Sequence, residues 1–206
     1  MARNELSAGE HTERFLADIG KIAALISPDK IDRIVALLRE VRDGGGRVFF
    51  LGVGGGAGYA SHAVNDFRKI AGIESYTPSD NVSELTARVN DDGWETAYSN
   101  WLRGSRLNSK DAVFVFSVGG GDVERNISAN IVKSLQVAKE VGAKVAGIVG
   151  RDGGYTAAVG DEVVVIPVLS AETVTPYTEA FQAVIWHCIV NHPELKLHAA
   201  KWESQR

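Results

Sequence analysis

Four short apolar runs, at residues 48–51 (VFFL), 112–116 (AVFVF), 145–149 (VAGIV) and 163–166 (VVVI), set the strongest limit on how this chain can fold. Each is rich in β-branched or aromatic residues, and none alternates between apolar and polar positions. Strands covered on both faces have that pattern. Helix-compatible segments separate the runs, the clearest over residues 127–141, where Ile131, Leu135 and Ala138 share a face, and another over 96–102. Strand and helix alternating at this spacing predict an α/β fold, with a mostly parallel sheet, right-handed crossovers and helices on both faces. A weaker fifth strand falls at residues 73–77. Pro167 has no N–H for a central ladder, so it closes the last strand.

The flanks are helical. Over residues 8–44, Phe15, Ile19, Ile22 and Ile26 recur at helical spacing. Ser27-Pro28-Asp29 breaks the chain with Asp29 as an N-cap, and a second helix places Ile34, Leu38 and Val41 inward. Such a sheet does not require this hairpin, and its wide apolar faces suit packing against another subunit. A final helix over 176–191 is bounded by Pro176 and by His192-Pro193. Trp94, Trp101, Trp186 and Trp202 read as core or interface anchors, and Asp111 and Asp161 as turn residues.

Composition narrows the function classes. With 206 residues the chain suits one α/β domain. A net charge of −4 gives no basic footprint for nucleic acid, so none is expected as a partner. The single cysteine, Cys188, leaves no disulfide within the chain and fits a reducing cytoplasm. The polar N-terminus has no secretory h-region. No apolar stretch approaches the length of about eighteen residues that a membrane span needs.

In open parallel sheets ligands sit beyond the carboxyl ends of the strands, at the switch in strand order. Two of the runs end in glycine-rich turns, LGVGGG from Leu51 and FSVGGGD from Phe116, which implies one crevice lined by both. A strand feeding a glycine turn and a helix N-terminus offers backbone N–H groups to an anion. The first loop only roughly mimics G-x-G-x-x-G, and Glu74 is the nearest acid for a ribose, so a dinucleotide site fits poorly. A P-loop is excluded because no lysine follows in Walker spacing. His62 and Asp66, four apart, share one face of the helix after the first loop. Such spacing serves either a surface pair or a ligand set. Glu179 and His187, eight apart on the final helix, lie within about 80° around the axis and about 12 Å apart along it. They could reach one ion only by converging from either side.

Taken together, these residues resemble the sugar isomerase (SIS) domain and, within it, the phosphoheptose isomerases. The likeness covers nearly the whole chain: the helical hairpin, LGVGGG, His62 and Asp66, the segment ARVNDDGW from Ala87, FSVGGGD, the run GRDGGY from Gly150, and the last helix with Glu179 and His187. It implies a flavodoxin-like three-layer sandwich over 1–206, with 1–45 as the hairpin and 46–206 as the core. It also implies a cytoplasmic homotetramer with active sites between subunits. The activity implied is aldose–ketose isomerisation of a phosphorylated sugar, sedoheptulose 7-phosphate above all. The resemblance makes His62, Asp66, Glu179 and His187 a zinc quartet, with Asp66 the base, His187 its acid–base partner and Asp91 a holder of a sugar hydroxyl. Gly54, Gly55, Gly56, Ser117, Gly119, Gly120, Gly121, Asp122, Arg125 and Glu179 would line the substrate.

Departures from the family pattern bear on the outcome. Asp66 stands where Glu is usual and Glu179 where Gln is usual; a last helix shifted by one residue would substitute Thr178 and Trp186 for Glu179 and His187. The family's second loop, Ser-Thr-Ser-Gly-Asn-Ser, is here Ser117-Val-Gly-Gly-Gly-Asp122, and Gly56 replaces a serine of the first. About six extra residues follow the second loop and bring in Arg125, which either grips the phosphate in place of the lost hydroxyls or pairs with Asp122 or Glu124. Two alternatives therefore stand beside the isomerase. One is a catalytically silent SIS protein binding a sugar phosphate or a protein partner. The other is an isomerase or lyase for a different sugar, as in a specialised glycan or antibiotic pathway.

Overall fold

The computed structural model describes residues 7–199. Residues 1–6 and 200–206, with Trp202 and the outer ends of the two expected segments, lie outside the described residues. The order of elements is α1 (Ala8–Leu25), α2 (Pro28–Asp43), β1 (Val48–Gly52), α3 (Gly55–Lys69), β2 (Ser75–Tyr76), α4 (Val82–Asp92), α5 (Trp94–Gly104), β3 (Ala112–Ser117), α6 (Ala129–Val141), β4 (Lys144–Val149), α7 (Gly154–Val159), β5 (Glu162–Val165) and α8 (Val174–Val190). The five strands run in the order β2-β1-β3-β4-β5 with every pairing parallel. This is the doubly wound order whose switch point lies between β1 and β3.

Alternate side chains of the buried strands enter opposite layers. Phe50, Phe114, Phe116 and Ile148 pack beneath α2, α3 and α8 with Phe67, Ile185 and Trp186. Phe49, Leu51, Val113 and Val145 face α5 and α6, against Tyr98, Trp101 and Leu135. The ladder runs one residue past β5, with Ile166 N–H donating to Val149 O at 2.7 Å, and stops at Pro167.

Three local readings need correction. Ser27, not Asp29, holds the N-cap position of α2, without a side-chain capping bond, because Pro28 occupies the first helical position and Asp29 falls in the first turn. Two helices escaped the periodicity argument. α4 buries none of its residues fully, so its apolar stripe is thin, and its start is marked instead by Asn81 accepting from Glu84 N–H at 3.2 Å. α7 is a six-residue turn of helix enclosed between Gly153 and Gly160. Asp111 does more than turn the chain: at 1% exposure it accepts from Arg47 N–H, Nε and Nη2 and from Asn108 N–H and Nδ2, at 2.8–3.2 Å. Among the described residues no helix is long and apolar enough to cross a membrane.

Candidate active site

The two glycine loops meet at the switch point. The first leaves β1, and its Gly56 passes so close to β3 that a Cβ there would stand 2.6 Å from Phe116 O. Tyr98 fixes this turn from α5, its buried hydroxyl donating to Gly52 O at 2.9 Å, and burial pushes its phenol above the usual range. The second loop is pinned to the start of α7. Gly120 O accepts from Thr156 N–H (2.9 Å) and Oγ1 (2.7 Å), and Gly121 O accepts from Tyr155 N–H (2.8 Å). Gly120 has φ +70°, and a Cβ there would lie 2.0 Å from Gly153 O, so only glycine fits. Ser117 Oγ accepts from Gly120 N–H at 3.0 Å, which leaves its own proton free to donate. Among the described residues the N–H groups of Gly54, Gly55, Gly119 and Gly121 donate to no protein acceptor.

The extra residues after the second loop close a small hairpin. Asp122 and Ile127 exchange backbone hydrogen bonds of 2.9 and 3.0 Å, and Asn126 Nδ2 donates to Glu95 on α5 at 2.8 Å. That bond, and then Lys133, hold Glu95 below the usual carboxylate range. The carboxylate of Asp122 turns into the hairpin, where Oδ1 accepts from Arg125 N–H at 2.9 Å. The Arg125 guanidinium lies 3.8 Å from Asp122 Oδ2 with its side chain 78% exposed, so within this chain it takes the ion-pair option.

Between the loops and the hairpin lies a cavity of about 890 Å³. Gly56, Ser117, Gly119, Gly121, Asp122, Arg125 and Glu179 line it, together with Arg151 and Gln182, which sequence reasoning did not single out. Gln182 is fully buried; its Nε2 donates to Ile148 O at 3.0 Å, and its Oε1 has no partner among the described residues. Its place three residues after Glu179, on the same face of α8, was the available signal.

The residues proposed for metal and chemistry separate into two groups. His62, Asp66 and His187 bring one ligand atom each within 4.8 Å of one another. Asp66 Oδ2 is 3.8 Å from His62 Nε2 and 3.7 Å from His187 Nε2. Ligands bonded to a tetrahedral ion at about 2.0–2.2 Å stand roughly 3.4 Å apart, so Asp66 needs to close on each histidine by only a few tenths of an ångström. The trio's chemistry also fits. His187 Nδ1 lies 2.7 Å from Ala183 O, a carbonyl that can only accept, so Nδ1 carries the proton and Nε2 presents a lone pair. Trp186, fully buried, stacks on His187 with 3.7 Å between centroids and meets His62 edge-on at 4.7 Å, fixing both rings. Asn65 Nδ2 donates to Asp66 Oδ1 at 2.9 Å and leaves Oδ2 toward the histidines.

Glu179 is not in that trio. Its carboxylate lies against Gly55 at the α3 N-terminus, where a Cβ would meet Oε1 at 2.7 Å. α3 and α8 run side by side in the same direction, so the trio sits about 10–17 Å further along the two helices than Glu179 and Gly55. Asp91 stands on the exposed C-terminal end of α4, accepts from Asn90 Nδ2 at 2.7 Å, and belongs neither to the trio nor to the cavity wall. Thr178 and Trp186 are buried in the core, so the structure keeps Glu179 and His187 on the polar side of α8.

No family model matches the chain. It is 30% identical over 186 residues to the lincomycin biosynthesis protein LmbN of Streptomyces lincolnensis, covering 86% of this chain and 67% of that one. It is also 30% identical over 177 residues to the phosphoheptose isomerase of Geotalea daltonii, covering 84% and 86%. Among solved structures, the phosphoheptose isomerase of Neisseria gonorrhoeae superposes with a TM-score of 0.78 at 21% identity, over 90% of this chain and 98% of the other. That of Francisella tularensis gives 0.76 at 18% identity, over 91% and 97%. At those identities the likeness is one of fold.

Proposed function

The chain belongs to the phosphoheptose isomerase family of SIS proteins, and on that premise we propose that it interconverts a ketose phosphate and an aldose phosphate, sedoheptulose 7-phosphate being the first candidate. The observation that carries this reading is the meeting of Asp66 Oδ2 with His187 Nε2 at 3.7 Å, on a ring whose Nδ1–H is committed to Ala183. Aldose–ketose isomerisation moves one proton between adjacent carbons and another between their oxygens. The Asp66 carboxylate takes the C1 proton of the ketose and returns it to C2. His187 Nε2 accepts the proton of O1 and delivers it to O2, so each residue ends as it began. In an alternative state His62, Asp66 and His187 would hold a divalent ion, zinc by ligand type; the single lone pair of His187 Nε2 would then belong to the metal, and the ion in place of His187 would serve the substrate oxygens. Such an ion, when bound, polarises the substrate carbonyl.

The cavity supports the other end of the substrate. Ser117 and the amides of Gly119 and Gly121 receive the phosphate, with Gly120 spending its N–H on holding Ser117 in place, while Glu179, beside Gly54, Gly55 and Gly56, accepts from sugar hydroxyls between phosphate and trio. The separation along α3 and α8 suits an extended sugar chain bridging the two. We place the working sites at the interfaces of a homotetramer. Asp91 then serves a neighbouring copy's site, since within its own chain it reaches neither trio nor cavity. The test is deuterium exchange at C1 of sedoheptulose 7-phosphate in D2O with zinc-replete protein, followed by NMR. Exchange with appearance of the aldose phosphate is expected. Absence of exchange with every five-, six- and seven-carbon ketose phosphate sinks the reading and leaves the silent binding protein.

A second reading keeps the chemistry and changes the sugar. It rests on the hairpin at 122–127, which forms part of the cavity wall, and on the likeness to a protein named for lincomycin biosynthesis. A preference for another sugar phosphate in the same exchange assay would favour it.

A further inference from the structure

We infer that Arg151 is the phosphate-anchoring side chain of this site and takes over the work of the missing loop hydroxyls; the inference rests on the sugar-phosphate reading above. Arg151 follows β4, whose carboxyl end adjoins that of β3, and it lines the same cavity as Ser117, Gly119 and Gly121. Gly153 N–H donates to Gly150 O at 2.9 Å, closing a tight turn in which Arg151 has φ +53°. A left-handed conformation is costly for a residue with a long side chain and persists only where its surroundings impose it. Here the turn is imposed from two sides. Gly150 N–H donates to Val118 O at 3.1 Å, and the following helix grips the carbonyls of Gly120 and Gly121. The result lays the Arg151 stem over the second loop, with Cδ 3.8 Å from where a Gly119 Cβ would stand.

The charge around it points the same way. Among the described residues the Arg151 guanidinium has no acidic partner and no hydrogen-bond acceptor, whereas Arg125, the other arginine of the cavity, is paired with Asp122. Of the acids on the wall, Asp122 is turned to the Arg125 N–H, Asp152 accepts from Gly154 N–H at 3.2 Å, and Glu179 lies against Gly55; Glu124 sits on the hairpin. The free positive charge therefore coincides with the free N–H groups of Gly119 and Gly121 and the unspent proton of Ser117. A planar guanidinium offers two parallel donors to a phosphate, a geometry that hydroxyls supply only in numbers. Glu179 meanwhile places negative charge at the α3 N-terminus, so the second loop is the better end for the anion.

The experiment compares wild type, Arg151→Asn, Arg151→Lys and Arg103→Ala by calorimetric titration with sedoheptulose 7-phosphate and with phosphate-free sedoheptulose. Asparagine tolerates the positive φ, so Arg151→Asn keeps the turn, and an unchanged unfolding midpoint verifies it. Arg103→Ala removes a remote charge paired with Glu140. Loss of one charged hydrogen-bonding partner predicts a Kd for the phosphorylated sugar about ten- to hundred-fold higher in Arg151→Asn. Arg151→Lys should recover part of that loss, and Arg103→Ala should bind as wild type. The phosphate-free sugar should not distinguish the variants. Where turnover is measurable, KM rises far more than kcat falls. Equal affinity in Arg151→Asn and wild type overturns the inference, as does a wild type that binds no sugar phosphate. Binding that depends on Arg151 without any C1 exchange upholds it while sinking the isomerase reading.

Discussion

Zinc should stabilise the folded protein through three side chains and not four. The spacing of 3.7–3.8 Å from Asp66 Oδ2 to the two histidine nitrogens is close to what a tetrahedral ion needs. Glu179 instead lies against Gly55, roughly 10–17 Å away along the helix pair. A ligand that binds only the folded state and is present at about a hundred times its Kd contributes about 2.7 kcal/mol. In a chain of this size each kcal/mol moves the midpoint by about 2–4 °C, so saturating zinc should raise Tm by about 5–11 °C. Asp66→Asn trades an anionic ligand for a weak neutral one and should remove most of that rise. It should change the metal-free midpoint little, because the site is partly open to solvent. Glu179→Gln should keep the rise in full. The assay is differential scanning calorimetry of chelator-treated protein with and without added zinc. A shift that survives Asp66→Asn, or disappears in Glu179→Gln, refutes the three-ligand geometry.

Other expectations follow from the packing. Asp111→Ala strands Arg47 beside a buried gap and should cost about 3–5 kcal/mol, read as a fall in the denaturation midpoint at unchanged m-value. Gly56→Ser restores the hydroxyl usual in the family, yet its Cβ would meet Phe116 O at 2.6 Å, so it should lose about 1–3 kcal/mol of stability and gain no phosphate affinity by calorimetry. Tyr98→Phe leaves Gly52 O without its donor and should cost about 1–3 kcal/mol. Burial raises the Tyr98 phenol, so its contribution is full below the ordinary tyrosine value of about 10 and falls as pH rises beyond it. Denaturation at pH 9 and pH 10.5 should show a smaller loss for Tyr98→Phe than for wild type.

The fold was legible because burial on both faces writes itself into composition. Runs such as VFFL and AVFVF cannot sit at a surface, and helix between each pair leaves a parallel sheet as the economical arrangement. The glycine loops were legible for a similar reason, since Gly56 and Gly120 stand where any side chain would strike backbone. Periodicity found α3 and α8 but missed α4, which buries too little to show a stripe. Helical rise alone puts Glu179 and His187 about 12 Å apart, but which of the two meets His62 and Asp66 was beyond the sequence. His62 with Asp66, and Glu179 with His187, were recognisable as pairs within their own helices, where spacing is fixed by the helical repeat. Which member of one pair meets which of the other depends on how α3 and α8 slide against each other over the sheet. The tertiary structure sets that slide so that His187 meets His62 and Asp66 while Glu179 stays at the glycine loop. The role of Arg151 was hidden for the same reason. Only the pairing of β3 with β4 lays the turn after one strand over the loop after the other, because neighbours across a parallel sheet are remote along the chain.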